Sequence, residues 1–396
     1  MITAQQQQLG QLLDYTAQEL DIPADLDTEL TAEYSRLGEW LRADNAKRFD
    51  TDSDLYTQGS RRLGTLVRPV NDEDDYDIDV VYLRHLAKSG ITQEELKQQA
   101  GDQLRRYTRE LRESEGRRVS LLEKQRCWRV QFGDRYHMDV LPALPDEQAY
   151  VNNDRHHEHG IIITDKDLVR WQPSNPKGYA LWFESRMQVV LMESRQSMAK
   201  AASVDVEDMP EHSVRTPLHR VVQLLKRHRD LRYEGNPEDK PISIIITTLA
   251  ARAYQNETDM YEAMDTATRQ MQGLVERRDG RWWIPNPVAP KENFADKWVN
   301  NPQRADRFFE WIEQVRDDVD RAMRATGIHK SASILGESFG SSAASGAARR
   351  FGDSMMEARD SNRLKVSANS ATLGATGANT VVPHTFFGDV HKTPKA

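Results

Sequence analysis

The segment from Tyr76 to Leu83, Tyr-Asp-Ile-Asp-Val-Val-Tyr-Leu, constrains the chain most. Its β-branched and aromatic residues favour a strand, on which alternate side chains share a face about 6.8 Å apart. Asp77 and Asp79 therefore project together, while Ile78 and Val80 point the other way into a core. Two carboxylates on one rigid face suit Mg²⁺, which takes oxygen ligands in near-octahedral geometry, usually one or two carboxylates plus substrate phosphates. Paired metals about 3.5–4 Å apart can clamp the attacking and leaving oxygens of an in-line displacement.

Upstream lies Gln58-Gly59-Ser60, the candidate nucleotide-binding loop. Glycine lets backbone approach a phosphate closely, and exposed N–H groups with the Ser60 hydroxyl can bind its oxygens. A third acid comes from Tyr136-His-Met-Asp-Val-Leu141, where His137, Asp139 and Leu141 share one face of a short strand and Met138 and Val140 the other. The only other acid between Cys127 and Leu144 is Asp134, in the Gly133-Asp134 turn. By itself Asp139 reads equally as a solvent-facing strand residue.

A Gly-Ser, a loop, an Asp-x-Asp on a strand and a later single Asp look like the nucleotidyltransferase superfamily of polymerase beta and poly(A) polymerase. The longer form, Gly59-Ser60-Arg-Arg-Leu-Gly64-Thr65 with Asp77-Ile-Asp79, resembles the bacterial cGAS/DncV-like nucleotidyltransferases (CD-NTases), which make cyclic oligonucleotide second messengers in anti-phage defence. The resemblance spans roughly residues 30 to 325. It implies an α+β fold: a polymerase beta-like core with a mixed sheet, completed by a helical module like that of poly(A) polymerase and oligoadenylate synthase. It further implies that Asp77 and Asp79 bind two Mg²⁺ ions, for which Mn²⁺ can substitute, and that Asp139 binds the ion activating the attacking hydroxyl.

In Leu-Leu-Lys-Arg-His-Arg-Asp, Lys226 adjoins the apolar stripe of Leu218, Val221, Val222 and Leu225, and by itself reads as a surface lysine at a basic helix end. The resemblance implies instead that Lys226 reaches the triphosphate, with Ser243 doing the same a helix later, aided by a helix N-terminus. Ser243 reads equally as a plain capping residue.

With 396 residues the chain has room for two modules around one cleft, or one large domain with a tail. Hydrophobic residues at 38% and charged ones at 29% fit a soluble globular protein. No apolar run approaches the roughly 20 residues of a membrane helix. The start, Met-Ile-Thr-Ala and four glutamines, lacks the features of a signal peptide, so the expectation is a cytoplasmic protein without membrane contact. The single cysteine, Cys127, excludes an internal disulfide and a cysteine zinc cluster. A net charge of −8 points to small nucleotides rather than a stably held long nucleic acid, without excluding a local basic groove, and the resemblance implies ATP and other NTPs. The arginines between Arg105 and Arg135 read as a solvated helix face and turn. His156, His157 and His159 suggest zinc, but no second histidine group has matching spacing, and a polar loop rimming the cleft accounts for them.

Helices are expected over residues 2–21 and 24–45, from a capping box at Thr92-Gln-Glu-Glu95, and over 179–202, 217–231, 242–255, 257–276 and 301–325. Two or three strands fill Val119 to Leu144. The change from strand-rich to helix-rich near Pro176 divides the chain into residues 1–176, with N-terminal helices and the nucleotidyltransferase core, and 177–329, a helical module completing the cleft. Arg281 to Trp298, too proline-rich for a helix, is expected to pack across the helical module. After about Lys330 the Ser, Ala and Gly content predicts a flexible tail over 330–396. Its apolar segment, 381–388, is suited to fold back on the body or dock on a partner. The resemblance implies a protein regulator there, or a ubiquitin-transfer-like partner that conjugates Ala396 to an amine.

The expected activity is synthesis of a cyclic oligonucleotide, an adenine-containing di- or trinucleotide, by successive attack of a ribose hydroxyl on an α-phosphate. The alternatives are an RNA-tailing or tRNA nucleotidyltransferase, which needs a basic track the net charge does not advertise, and a catalytically silent nucleotide-binding regulator, which has no need of three acids together.

Overall fold

The computed structural model describes residues 2–71, 74–147, 159–164, 170–202, 214–366, 373–374 and 379–381. Tyr76–Arg84 is strand β2, preceded by β1 (Ser53–Thr57) and followed by β3 (Val119–Glu123), β4 (Trp128–Phe132) and β5 (Tyr136–Pro145). They lie side by side in the order β1-β2-β5-β4-β3, with β6 (Ile161–Ile163) added to β5 and β7 (Gln172–Ser174) to β6. β2 and β5 run parallel and the other pairings of this sheet are antiparallel, so the sheet is mixed. In that parallel register Asp77 faces His137 and Asp79 faces Asp139, which carries all four side chains to one face.

The opposite face is core. Ile78, Val80, Met138 and Val140 are fully buried against the apolar stripes of α2 (Ala24–Phe49) and α4 (Gln93–Glu115), including Leu30, Leu37, Leu104 and Tyr107. The expected capping box opens α4: Thr92 Oγ1 accepts from Glu95 N–H and the Glu95 carboxylate accepts from Thr92 N–H. Rigid support beneath β2 and β5 fixes where their acids stand.

The helices after β7 are α5 (Pro176–Ser185), α6 (Gln188–Ala202), α7 (Pro217–Arg232), α8 (Ser243–Ala253), α9 (Met260–Gln270) and α10 (Gln303–Arg324). Between α9 and α10, residues 281–298 form short strands and a 3₁₀ turn that bury Ile284, Val288 and Trp298 in the helical core, as expected.

Two boundaries differ from the sequence reading. The first helix, α1 (Ala4–Gln18), belongs to the helical body: Leu9, Leu12, Leu13 and Ala17 are buried in one core with α7 to α10. The tail does not start at residue 330, because α11 (Ile328–Phe339) and α12 (Ser341–Asp360) continue the same body. They bury Leu335, Phe339, Ala343, Ala347 and Phe351, and α12 packs along α1. Alanine is the best helix former, and small residues let helices approach closely; a Cβ at Gly346 would lie 2.5 Å from the Glu19 side chain. Of the apolar segment 381–388 only Val381 is described, its N–H donating to Leu364 O at 2.9 Å; residues 382–388, like His156 and His157, lie outside the described residues. Among the described residues no helix is long and apolar enough to cross a membrane.

Candidate active site

A cavity of about 660 Å³ separates the sheet from α7 and α8, and Gly59, Ser60, Asp77, Asp79, Lys226 and Ser243 all line it. The nucleotide loop enters as the short helix α3 (Gly59–Arg62) directly after β1. Gln58 is its N-cap residue and its N–H donates to Asp79 O at 2.9 Å, which ties the loop to the acid strand. Gly59 has φ +59°, and a Cβ there would stand 2.5 Å from Asp79 Oδ2. Only glycine satisfies both the left-handed backbone and the close approach.

The acids crowd one another. Burial, then the charges of Asp77 and Asp139, pushes the Asp79 carboxyl up to about 7. Asp139 is held by a two-pronged pair from Arg129, Nε to Oδ1 and Nη2 to Oδ2, each 2.8 Å. The 4%-exposed His137 places Nδ1 2.6 Å from Asp75 Oδ2 and Nε2 2.9 Å from Asp77 Oδ1. That contact of Nε2 is an ion pair with Asp77. One ligand atom each from Asp77, His137 and Asp139 lies within 4.8 Å of the others, a donor set that fits a divalent cation.

The opposite wall is cationic. Lys226 is not a surface lysine: it is 3% exposed, and Nζ donates to Thr65 O at 3.1 Å and to Thr65 Oγ1 at 3.0 Å. Burial, then the neighbouring Arg229 charge, pulls its ammonium down to about 7. Ser243 is the first residue of α8, whose N-cap is Ile242, and its hydroxyl accepts from Arg229 Nη1 at 2.8 Å. Arg229 also donates to Pro241 O and pairs with Asp230.

Of the catalytic and nucleotide-binding candidates, Gly59, Ser60, Asp77, Asp79, Lys226 and Ser243 thus line this cavity. Asp139 joins through its register with Asp79 and its closeness to Asp77, and Gln58 through its backbone. The sequence reading placed His137 on the face of Asp139 without giving it a role. It missed Asp75, Arg129, Thr65 and Arg229, whose partners are set by strand register and helix docking.

Paired acids on one strand, a third on its parallel neighbour and a glycine-serine turn below a helical wall define a nucleotidyltransferase. Residues 53–142 match the family described as "Cyclic GMP-AMP synthase DncV-like, nucleotidyltransferase domain". The chain is 29% identical to the c-di-GMP synthase of Roseivirga ehrenbergii, over 95% of this chain and 97% of that protein. The CD-NTase CdnG of Bradyrhizobium diazoefficiens, solved in complex with GTP, shares the fold with a TM-score of 0.66 at 19% identity, covering 87% of this chain and 99% of that one. CdnC of Escherichia coli, solved in a complex with HORMA-deltaN, has a TM-score of 0.58 at 17% identity, covering 83% and 95%. Together these likenesses support a bacterial cGAS/DncV-like nucleotidyltransferase, a CD-NTase.

Proposed function

We propose that the protein condenses purine NTPs into a cyclic dinucleotide that serves as a second messenger in cytoplasmic anti-phage defence. The observation that carries this reading is the shared cavity, with Asp77 and Asp79 on one wall and Lys226 and Ser243 on the other, about a space sized for nucleotides. Ser60 and the backbone at Gly59 hold the terminal phosphates, Lys226 adds a cation from behind Thr65, and Arg229 orients the Ser243 hydroxyl. Asp77 and Asp79 would hold two Mg²⁺ ions, with Asp139 as a further ligand were its Arg129 contact released. Bound there, the cations would neutralise phosphate charge and favour ionisation of the ribose hydroxyl. Two attacks on α-phosphates, each releasing pyrophosphate, close the ring.

The full-length likeness to a c-di-GMP synthase supports GTP as a substrate. ATP, expected from the sequence, is the second arm of the assay. A protein regulator is part of the proposal, supported by the HORMA-deltaN complex of CdnC. The test incubates purified protein with labelled GTP, ATP or both and Mg²⁺, then phosphatase, and identifies products by mass. A phosphatase-resistant cyclic dinucleotide is expected; linear tailed products, or none in any mixture, would sink the reading.

A further inference from the structure

The imidazole of His137 is the one buried polar group in the acid cluster whose geometry the three carboxylates leave unexplained. Its Nδ1 faces Asp75 Oδ2 at 2.6 Å, and that carboxylate is itself anchored by Gln131 Nε2 at 2.8 Å. The ring is thereby fixed in plane and direction. At its other end Nε2 is buried 2.9 Å from Asp77 Oδ1. One ring nitrogen of His137 and one oxygen each of Asp77 and Asp139 lie within 4.8 Å of one another, a spacing that a cation bound among them would satisfy. A carboxylate that accepts from the far nitrogen of a histidine is the usual support of a metal-ligating imidazole: it fixes the tautomer and raises the basicity of the free nitrogen.

We propose that His137 Nε2 is a direct ligand of the cation held by Asp77 and Asp139, with Asp75 as the positioning residue behind it. The inference rests on the metal-site reading above and extends it: one position of the site is a mixed nitrogen-oxygen site. Mg²⁺ is a hard ion that prefers oxygen, whereas imidazole suits transition metals. The site therefore takes Mn²⁺ in preference to Mg²⁺.

Mn²⁺ is also the probe. Electron paramagnetic resonance of the full-length protein with Mn²⁺ and no nucleotide gives the affinity from the free-ion signal, and pulsed measurement detects a coordinated nitrogen. The wild type should show a ¹⁴N coupling that changes character when the protein is labelled with [¹⁵N]histidine. His137→Gln should lose the coupling and bind Mn²⁺ roughly ten- to a hundredfold more weakly, with Mg²⁺ affinity, read by competition, changing much less. Asp75→Asn keeps every ligand and should weaken Mn²⁺ binding while retaining the coupling. Mn²⁺ bound without nitrogen coupling, but lost in Asp77→Asn, would overturn the histidine ligand and leave the acid site standing. No Mn²⁺ binding by the wild type would overturn both. Should His137→Gln fail to fold, the isotope-dependent coupling of the wild type decides, since His137 is the histidine in this cluster among the described residues.

Discussion

Asp79 in the sheet is half-buried and Asp318 in the helical body is buried, and their surroundings push the two carboxylates in opposite directions. Asp79 is raised to about 7 by burial and by Asp77 and Asp139. Burial also pulls Asp318 upwards, but hydrogen bonds from His228, Gln314 and Ser338 outweigh it and hold the carboxyl below its ordinary range. The first arrangement costs stability in the absence of a cation and readies the face to bind one. The second joins α7, α10 and α11 and stabilises the wall from which Lys226 projects. The cleft therefore combines a strained acid face with a satisfied scaffold.

The sharpest way to break the comparison is to remove charge from the acid face. Asp77→Asn with Asp79→Asn should abolish NTP turnover yet raise the melting temperature of the ligand-free protein at pH 8. The sign follows from linkage: a raised carboxyl pKa is a penalty absent below the ordinary value near 4, growing between about 4 and 7, and complete above 7. The stabilisation should therefore vanish near pH 4, and a variant that melts lower at pH 8 would contradict the strained-face account. Lys226→Ala comes next. Losing one charge-assisted contact of about 1.5–3 kcal/mol should weaken NTP binding roughly ten- to a hundredfold, read by titration calorimetry; unchanged affinity would return Lys226 to a structural role beneath Thr65.

In the scaffold the expectation reverses. Asp318→Asn should lower stability by about 1–3 kcal/mol at pH 7, because His228 and Ser338 lose a charged acceptor. A depressed pKa stabilises above the ordinary carboxylate value and that contribution is lost as pH falls through the folded one. The difference from wild type in urea melts should accordingly shrink below about pH 4, while Mn²⁺ affinity stays unchanged. The smallest effect belongs to the chain end. Deleting residues 382–396 should leave basal turnover intact and remove only partner-dependent modification or activation; lost basal turnover would place that segment at the cleft.

Local patterns were legible in the sequence because their causes lie within a few residues. The alternation from Tyr76 to Leu83 put Asp77 and Asp79 on one face, Thr92 and Glu95 marked a helix start, and Pro217 opened α7 where expected. Family resemblance carried Lys226 and Ser243, which composition and spacing by themselves left as surface and cap. Helices α11 and α12 were hidden because their Ala, Ser and Gly resemble a linker until α1 and α10 supply the surfaces they bury against.

Sequence by itself thus determined the acid pair, the glycine-serine turn and the starts of α4 and α7, each fixed by strand alternation, backbone freedom or capping. Tertiary structure decided that Asp139 stands opposite Asp79 and is clasped by Arg129, that His137 sets Nε2 2.9 Å from Asp77, and that Lys226 is buried behind Thr65. Those relations depend on which strand lies beside which, in what register, and on how a distant helix docks, and such long-range choices are settled by the burial of whole faces rather than by any one stretch of chain.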